Sequence, residues 1–174
     1  MNIPSAADLY GVVGCATTLP DTYSGAGVIP FNQDGLWLCH SKKGHSDFGG
    51  KRCSGDRTAW ATASRELMEE GSLKLDAHTF TYAPEGVAKY VHFYAETSTP
   101  PTAAELRFVP WTELQATGLP TPLHPRLRFD KGGLIMKTLR KLAHERVGAR
   151  RVVDLGPFAG LLANATCRTV ERDA

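Results

Sequence analysis

From residue 25 to residue 111, apolar positions come in short runs broken by glycine, proline and polar clusters. Such runs predict strands. Gly25-Ala26-Gly27-Val28-Ile29-Pro30-Phe31 reads as a buried strand, and Leu36-Trp37-Leu38-Cys39-His40 as its return. Between them, Asn32-Gln33-Asp34-Gly35 is turn chemistry, with Asp-Gly suited to positive-φ positions. Lys42, Lys43, Gly44 and His45 read as a polar loop, and Asp47 to Arg52 as the lead into a glycine loop. Thr79–Tyr82, Lys89–Ala95 and Glu105–Trp111 carry the β-branched and aromatic residues of further strands.

Twice the period changes to that of a helix. Asp56 and Thr58 are both good N-caps. After them Trp60, Ala63 and Leu67 form an apolar stripe, and Gly71 is the expected left-handed cap. A longer helix is expected from about Lys131 to Glu145, with Leu134/Ile135, Leu139 and Leu142 at helical spacing. Thr112-Glu113-Leu114 starts a short helix, and 117–125 reads as loop, with Gly118, Pro120, Pro122 and Pro125. Strands and helices in this order predict an α/β class and one domain over 1–174. Residues 1–23, with Val12-Val13 and Cys15, form an N-terminal extension. Residues 146–174, with Val152-Val153 and Phe158 to Leu162, form a C-terminal one.

Composition narrows the setting more than the chemistry. The chain has 174 residues, is 42% hydrophobic and carries a formal charge of +2. No apolar run approaches the roughly 20 residues of a membrane span. Met1 to Asp8 lacks the basic and apolar regions of a signal peptide. Cys15, Cys39, Cys53 and Cys167 form no C-x-x-C pair, so free thiols in a reducing compartment are expected. Together these point to a cytoplasmic location.

The chemistry is concentrated in one stretch. Gly49-Gly50-Lys51 stands ahead of a helix carrying Arg65, Glu66, Glu69 and Glu70. Glu66 is i,i+3 from Glu69 and i,i+4 from Glu70, which places three carboxylates about 5–6 Å apart on one stripe. Like charges at that spacing repel, unless a hard divalent cation sits over them. Oxygen-only donors suit Mg²⁺ or Mn²⁺. Mg²⁺ held this way usually faces a phosphate-bearing substrate. A solvated acidic face is the plainer alternative.

The order of hairpin, glycines, Arg-Glu-x-x-Glu-Glu helix, strands, Val-Pro-Trp strand and final helix resembles the Nudix hydrolase family over roughly residues 25–145. That family's box reads G-x5-E-x7-R-E-U-x-E-E-x-G-U, with U aliphatic. Gly50, Arg65, Glu66, Leu67, Glu69, Glu70 and Leu73 match it. Asp56 stands where the first glutamate belongs, and eight residues, not seven, separate it from Arg65. Ser72 holds the final glycine position, and Cys53-Ser54 stand where many members have Glu-Pro. The resemblance implies an α/β/α sandwich with a small mixed sheet. It also implies Mg²⁺- or Mn²⁺-dependent hydrolysis of a phosphoanhydride in a nucleoside diphosphate-linked or other polyphosphate substrate.

By the same resemblance, Glu66, Glu69, Glu70 and the Gly50 carbonyl would hold the metal. Glu66 could instead orient or deprotonate the attacking water. Arg65 would orient the carboxylates, with Glu66, Glu69 and Arg65 as the catalytic set. Gly49 and Gly50 would let the backbone approach phosphate, and Lys51 and Arg52 would contact it as cations, or be solvated surface charges. Among Glu85, Glu96 and Glu105, the last is preferred as an additional metal-binding carboxylate. Substrate choice is expected in the loops around 40–47, 83–88 and 97–104. Tyr82 and Phe93 either stack a base or belong to the core. The six histidines show no ligand spacing.

One further feature lies outside the box. Segment 126–151 holds nine Arg and Lys against Asp130 and Glu145. It is either the wet face of the last helix or a surface for a polyanion such as RNA. It keeps open a second reading, a nucleotide- or RNA-binding module that does not turn over. Oligomeric state is not readable from this pattern.

Overall fold

The computed structural model of the chain describes residues 23–75, 79–82 and 90–154, with the backbone alone described for 79–82, 131 and 149–154. Val12-Val13, Cys15, Glu85, Phe158 to Leu162, Cys167 and the Tyr82 side chain lie outside this description. Seven strands form one mixed sheet: β1 (Gly25–Phe31), β2 (Gly35–Ser41), β3 (Gly44–Ser46), β4 (Phe48–Lys51), β5 (Thr79–Tyr82), β6 (Tyr90–Glu96) and β7 (Leu106–Pro110). The helices are α1 (Ala59–Gly71), α2 (Trp111–Thr117), the single turn α3 (Pro125–Arg128) and α4 (Leu134–Asp154).

The first strand is buried along its whole length. It pairs with β6 in parallel from Gly25↔Tyr90 to Phe31↔Glu96, and with β4 antiparallel from Gly25↔Lys51 to Val28↔Phe48. Only at Phe31↔Leu36 does it meet β2, which continues outward to β3 and β7. Its two faces feed two different core layers, Ala26 and Val28 on one and Ile29 and Phe31 on the other, which explains why β1 lacks an apolar/polar alternation.

Register divides the core into two layers. On one face Ala26, Val28, Phe48, Val91 and Phe93 pack against Ala59, Ala63 and Leu67 of α1. On the other, Ile29, Phe31, Leu38, Tyr94 and Val109 pack against Trp111, Leu114, Ile135 and Leu139. The sheet is therefore sandwiched between helices, as expected. Phe93 is core, 1% exposed and edge-on to Trp60 at 5.1 Å.

Several local expectations are corrected. The glycine loop is a strand, β4, because Phe48 to Lys51 complete the pairing of β1. The polar loop shrinks to a turn, because Gly44, at φ 108, returns the chain into β3. Gly35 does not adopt positive φ. It is there because a Cβ would strike the Val109 carbonyl of β7. Of the two N-cap candidates, Thr58 is the one that caps α1, as its Oγ1 accepts from Ala61 N at 3.1 Å. Gly71 is the last helical residue, tight against Phe48 and Pro101, and Ser72 takes the left-handed conformation at φ 50. The last helix starts at Leu134, after Gly132 and Gly133 at positive φ, and runs past Glu145 to Asp154. The Asp130 carboxylate accepts from Ile135 N and Met136 N at 2.9 and 3.0 Å, satisfying its free first-turn donors.

Candidate active site

The acidic stripe of α1 is organised by one side chain. The Arg65 guanidinium donates to Glu66 Oε1 at 2.8 Å and Glu69 Oε2 at 3.2 Å. Its opposite edge donates to Asp56 Oδ1 at 3.3 Å, Asp56 Oδ2 at 3.1 Å and the Lys51 carbonyl at 3.0 Å. A planar fork with five donors suits this bridging. Asp56 is itself fixed, accepting from Cys53 N and Thr62 Oγ1, each at 2.8 Å. The hydrogen bond from Arg65 holds the Asp56 carboxyl down to about 2. Asp56 thus ties the junction between β4 and α1 to the helix, although it is one methylene shorter than glutamate.

Glu70 is held differently. Its Oε2 accepts from Gly49 N at 3.0 Å, at the edge of β4 away from β1. Desolvation there, and then the negative charge of Glu66, raise its carboxyl above the ordinary range. Glu66 lies against the strand: a Cβ on Gly50 would fall 2.5 Å from Glu66 Oε1. Gly49 is needed for a separate reason. A Cβ there would strike the Tyr90 hydroxyl and come 2.5 Å from Gly27 Cα. Both glycines therefore provide room, at a strand, rather than bend.

No family model and no curated protein matches the chain. Solved structures do. A MutT structure, from work on Aliivibrio salmonicida and Vibrio cholerae, superposes on 69% of this chain and 98% of that one, with TM-score 0.53 and 14% identity. A nudix hydrolase family member from Chromobacterium violaceum covers 90% of this chain and 100% of its own, at TM-score 0.48 and 16% identity. RenU, a Nudix hydrolase from M. smegmatis, covers 78% and 88%, at 0.47 and 20%. At such identities the likeness concerns the fold.

The chain has the Nudix fold.

Within that fold the box residues separate into two groups. Asp56, Arg65, Glu66 and Glu69 converge around the guanidinium, and Gly49, Gly50, Glu66 and Glu70 meet at the β4 edge. Lys51 enters through its carbonyl, and its side chain is exposed. The Arg52 guanidinium lies over the Tyr23 ring at 4.5 Å. The Gly50 carbonyl faces Gly25 on the β1 side, where a Cβ would strike it, so it is turned away from the acidic stripe it was expected to serve. Glu105 stands just before β7 beside His40 Nδ1, at 3.7 Å, and touches none of the box carboxylates among the described residues. Glu96 pairs with Arg146 at 3.1 Å.

Do these residues suit the divalent ion that Nudix hydrolases generally use? Among the described residues no three metal-ligating side chains already converge on one point. The donor set nevertheless fits. Asp56, Glu66 and Glu69 share the one Arg65 guanidinium and Glu70 stands beside Glu66 on Gly49 N, so these four hard oxygen donors carry an excess of negative charge. Among the described residues, Glu70 lies beside Glu66 with only the Gly49 backbone N–H as a hydrogen-bond donor.

Sequence reasoning missed a second cluster, on the opposite sheet face from α1. Asp47 is 0% exposed and accepts from Tyr90 OH at 3.0 Å, Arg126 Nε at 3.0 Å and Ser46 Oγ at 3.0 Å, with His92 Nδ1 at 3.1 Å. Burial would raise the Asp47 carboxyl, but Arg126 and His92 outweigh it and hold it well below the usual range. Tyr90 lies over a floor of Gly25, Gly27 and Gly49, any of which would collide with its ring or hydroxyl if it carried a Cβ. The signal in the sequence was the alternation of Gly25 and Gly27 in one strand with Tyr90 and His92 in another. Their common face needed the β1–β6 register to be seen.

Proposed function

We propose that the chain is a Mg²⁺- or Mn²⁺-dependent hydrolase cleaving a phosphoanhydride bond in a nucleoside diphosphate-linked or other polyphosphate substrate. The observation that carries this reading is the single Arg65 guanidinium set among three carboxylates, Asp56, Glu66 and Glu69, with a fourth, Glu70, left at the strand edge beside Glu66. Glu69 and Glu70 are the residues that would hold the ion, with Glu66 given to the attacking water. When bound, such an ion neutralises phosphate oxygens and lowers the pKa of water.

The chain's own residues do the rest. Arg65 keeps Glu66 and Glu69 in fixed orientations, and Asp56 fixes Arg65. Glu66, whose side chain is only 13% exposed and held against Gly50, orients the attacking water and takes its proton. Lys51, exposed at the end of β4, is free to meet a phosphate oxygen. Hydrolysis yields two phosphorylated products, for example a nucleoside monophosphate and the phosphorylated remainder.

The test is product formation from a panel of nucleotide sugars, dinucleoside polyphosphates, nucleoside triphosphates and capped RNA, with Mg²⁺ or Mn²⁺. Turnover lost on chelation and on Glu69→Gln supports the assignment. Full activity in that variant would sink it.

One observation favours a second reading. Arg65 already neutralises part of the stripe, and Lys137, Arg140 and Lys141 line an exposed face of α4. This suits a module that binds a nucleotide or RNA without cleaving it. Tight binding with no product over long incubation would select this alternative.

A further inference from the structure

An ion pair inside a sheet layer needs a reason. Desolvating Asp47 and Arg126 costs about what their attraction returns, and apolar residues often serve stability as well or better. What the Asp47 cluster does achieve is to immobilise one guanidinium. Arg126 Nε donates to Asp47 Oδ1 at 3.0 Å, and Nη2 donates to Ser46 Oγ at 2.5 Å and to the Asp47 carbonyl at 3.4 Å. Its plane is further restrained by the Tyr90 ring, 5.2 Å below. Nη1 donates to no described residue, and the side chain remains 22% exposed. The fork is thus fastened through Nε and Nη2 and open at Nη1.

Its position links it to the box. Gly49 donates its N–H to Glu70 and offers its α-face to the Tyr90 hydroxyl, which in turn donates to Asp47. A single strand residue therefore stands between the two clusters. Arg126 and Glu70 also act on each other electrostatically, each favouring the other's charged form. A substrate with two or more linked phosphates that placed one at the carboxylates would carry a second anionic group to be neutralised. The carboxylates repel that group, and a rigid guanidinium attracts it, with the two N–H donors of Nη1 left to meet it.

Resting on the phosphoanhydride reading above, we infer that Arg126, fastened by Asp47, Ser46 and Tyr90, is a substrate-binding residue that receives the phosphate neighbouring the one under attack. The ligand class is a pyrophosphate group. Asp47 is the positioning residue that orients its cation.

The experiment uses the full chain in chelator, with inorganic pyrophosphate as the probe and melting temperature as the readout. Pyrophosphate at about a hundredfold excess over its Kd is expected to raise the wild-type Tm by several degrees. Arg126→Lys keeps the charge and loses the fork, and its affinity is expected to fall about tenfold. Should that variant fold poorly, D47N/R126Q removes both charges together, leaves no buried carboxylate unpaired, and is expected to lose the shift. Glu69→Gln is expected to keep the shift while losing turnover. Absence of a shift in wild type, or a wild-type response in whichever of the first two variants folds, overturns the inference. The substrate panel judges hydrolysis separately, so a binder without turnover would leave the Arg126 assignment standing.

Discussion

The Glu66 carboxylate lies so close to Gly50 that a methyl group on that glycine would come 2.5 Å from Glu66 Oε1. The neighbour in question is the far end of a flexible side chain, which can move. Gly50→Ala should therefore displace Glu66 with little effect on folding. We expect a Tm within a few degrees of wild type and a turnover reduced by about tenfold or more. Gly49→Ala meets backbone at Gly27 Cα and the Ala26 carbonyl, which cannot yield as cheaply. It should destabilise by about 1–3 kcal/mol. Thermal melts paired with activity would separate the two glycines, and equal loss of stability in both would refute the distinction.

Arg65 joins Asp56 to Glu66 and Glu69 through donors on both edges of a planar group. A lysine can supply charge but not that span. Arg65→Lys should lower metal affinity or activity by about tenfold to a hundredfold. Calorimetric titration with Mn²⁺ alongside activity would check this. Unchanged metal binding would mean that the carboxylates orient themselves.

The Asp56 carboxyl, held down to about 2 by the Arg65 hydrogen bond, has a defined pH signature. A depressed carboxyl contributes stability above its unfolded pKa of about 4, and loses that contribution as pH falls towards its folded value. Asp56→Asn should melt below wild type at pH 7. The gap should narrow between about pH 4 and pH 2. Parallel melts across that window, showing a constant gap, would contradict the assignment.

Thr58 closes the start of the box helix through a single side-chain bond to Ala61 N. Thr58→Ala should cost about 1 kcal/mol. Leu67→Ala, at a fully buried position beneath the acidic stripe, should cost about 2–5 kcal/mol. Denaturant unfolding of both variants would give the ratio, and a cap variant worse than the core variant would show the helix to be held mainly at its end.

Much of the local architecture was readable beforehand because its causes are local. The Arg65, Glu66, Glu69 and Glu70 spacing follows from a period of 3.6 residues, and Thr58 capping from a hydroxyl placed to accept a free first-turn N–H. The β1–β2 hairpin follows from Asn32, whose Oδ1 accepts from Asp34 N at 2.8 Å and Gly35 N at 3.0 Å. The errors came where a residue answers to something distant. Gly35, Gly49 and Gly50 look like flexible joints in the sequence and are points of close approach in the fold. Ser72 takes a left-handed turn that Gly71 was better suited to make, because the Gly71 position is needed against Phe48 and Pro101.

The basic segment shows the same division. Composition grouped Arg126, Arg146 and Lys137 together, but the fold sends them to an Asp47 ion pair, the Phe31 ring and solvent respectively. Along the chain alone, the order of elements and the acidic stripe on one helix were determined, since neighbouring residues generate both. Only tertiary structure decided that Tyr90, His92 and Arg126, which lie 43, 45 and 79 positions from Asp47, share one buried site. Pairing β1 with β6 and closing the chain over Ser46 creates that site, and strand register is set by partners that no local period can name.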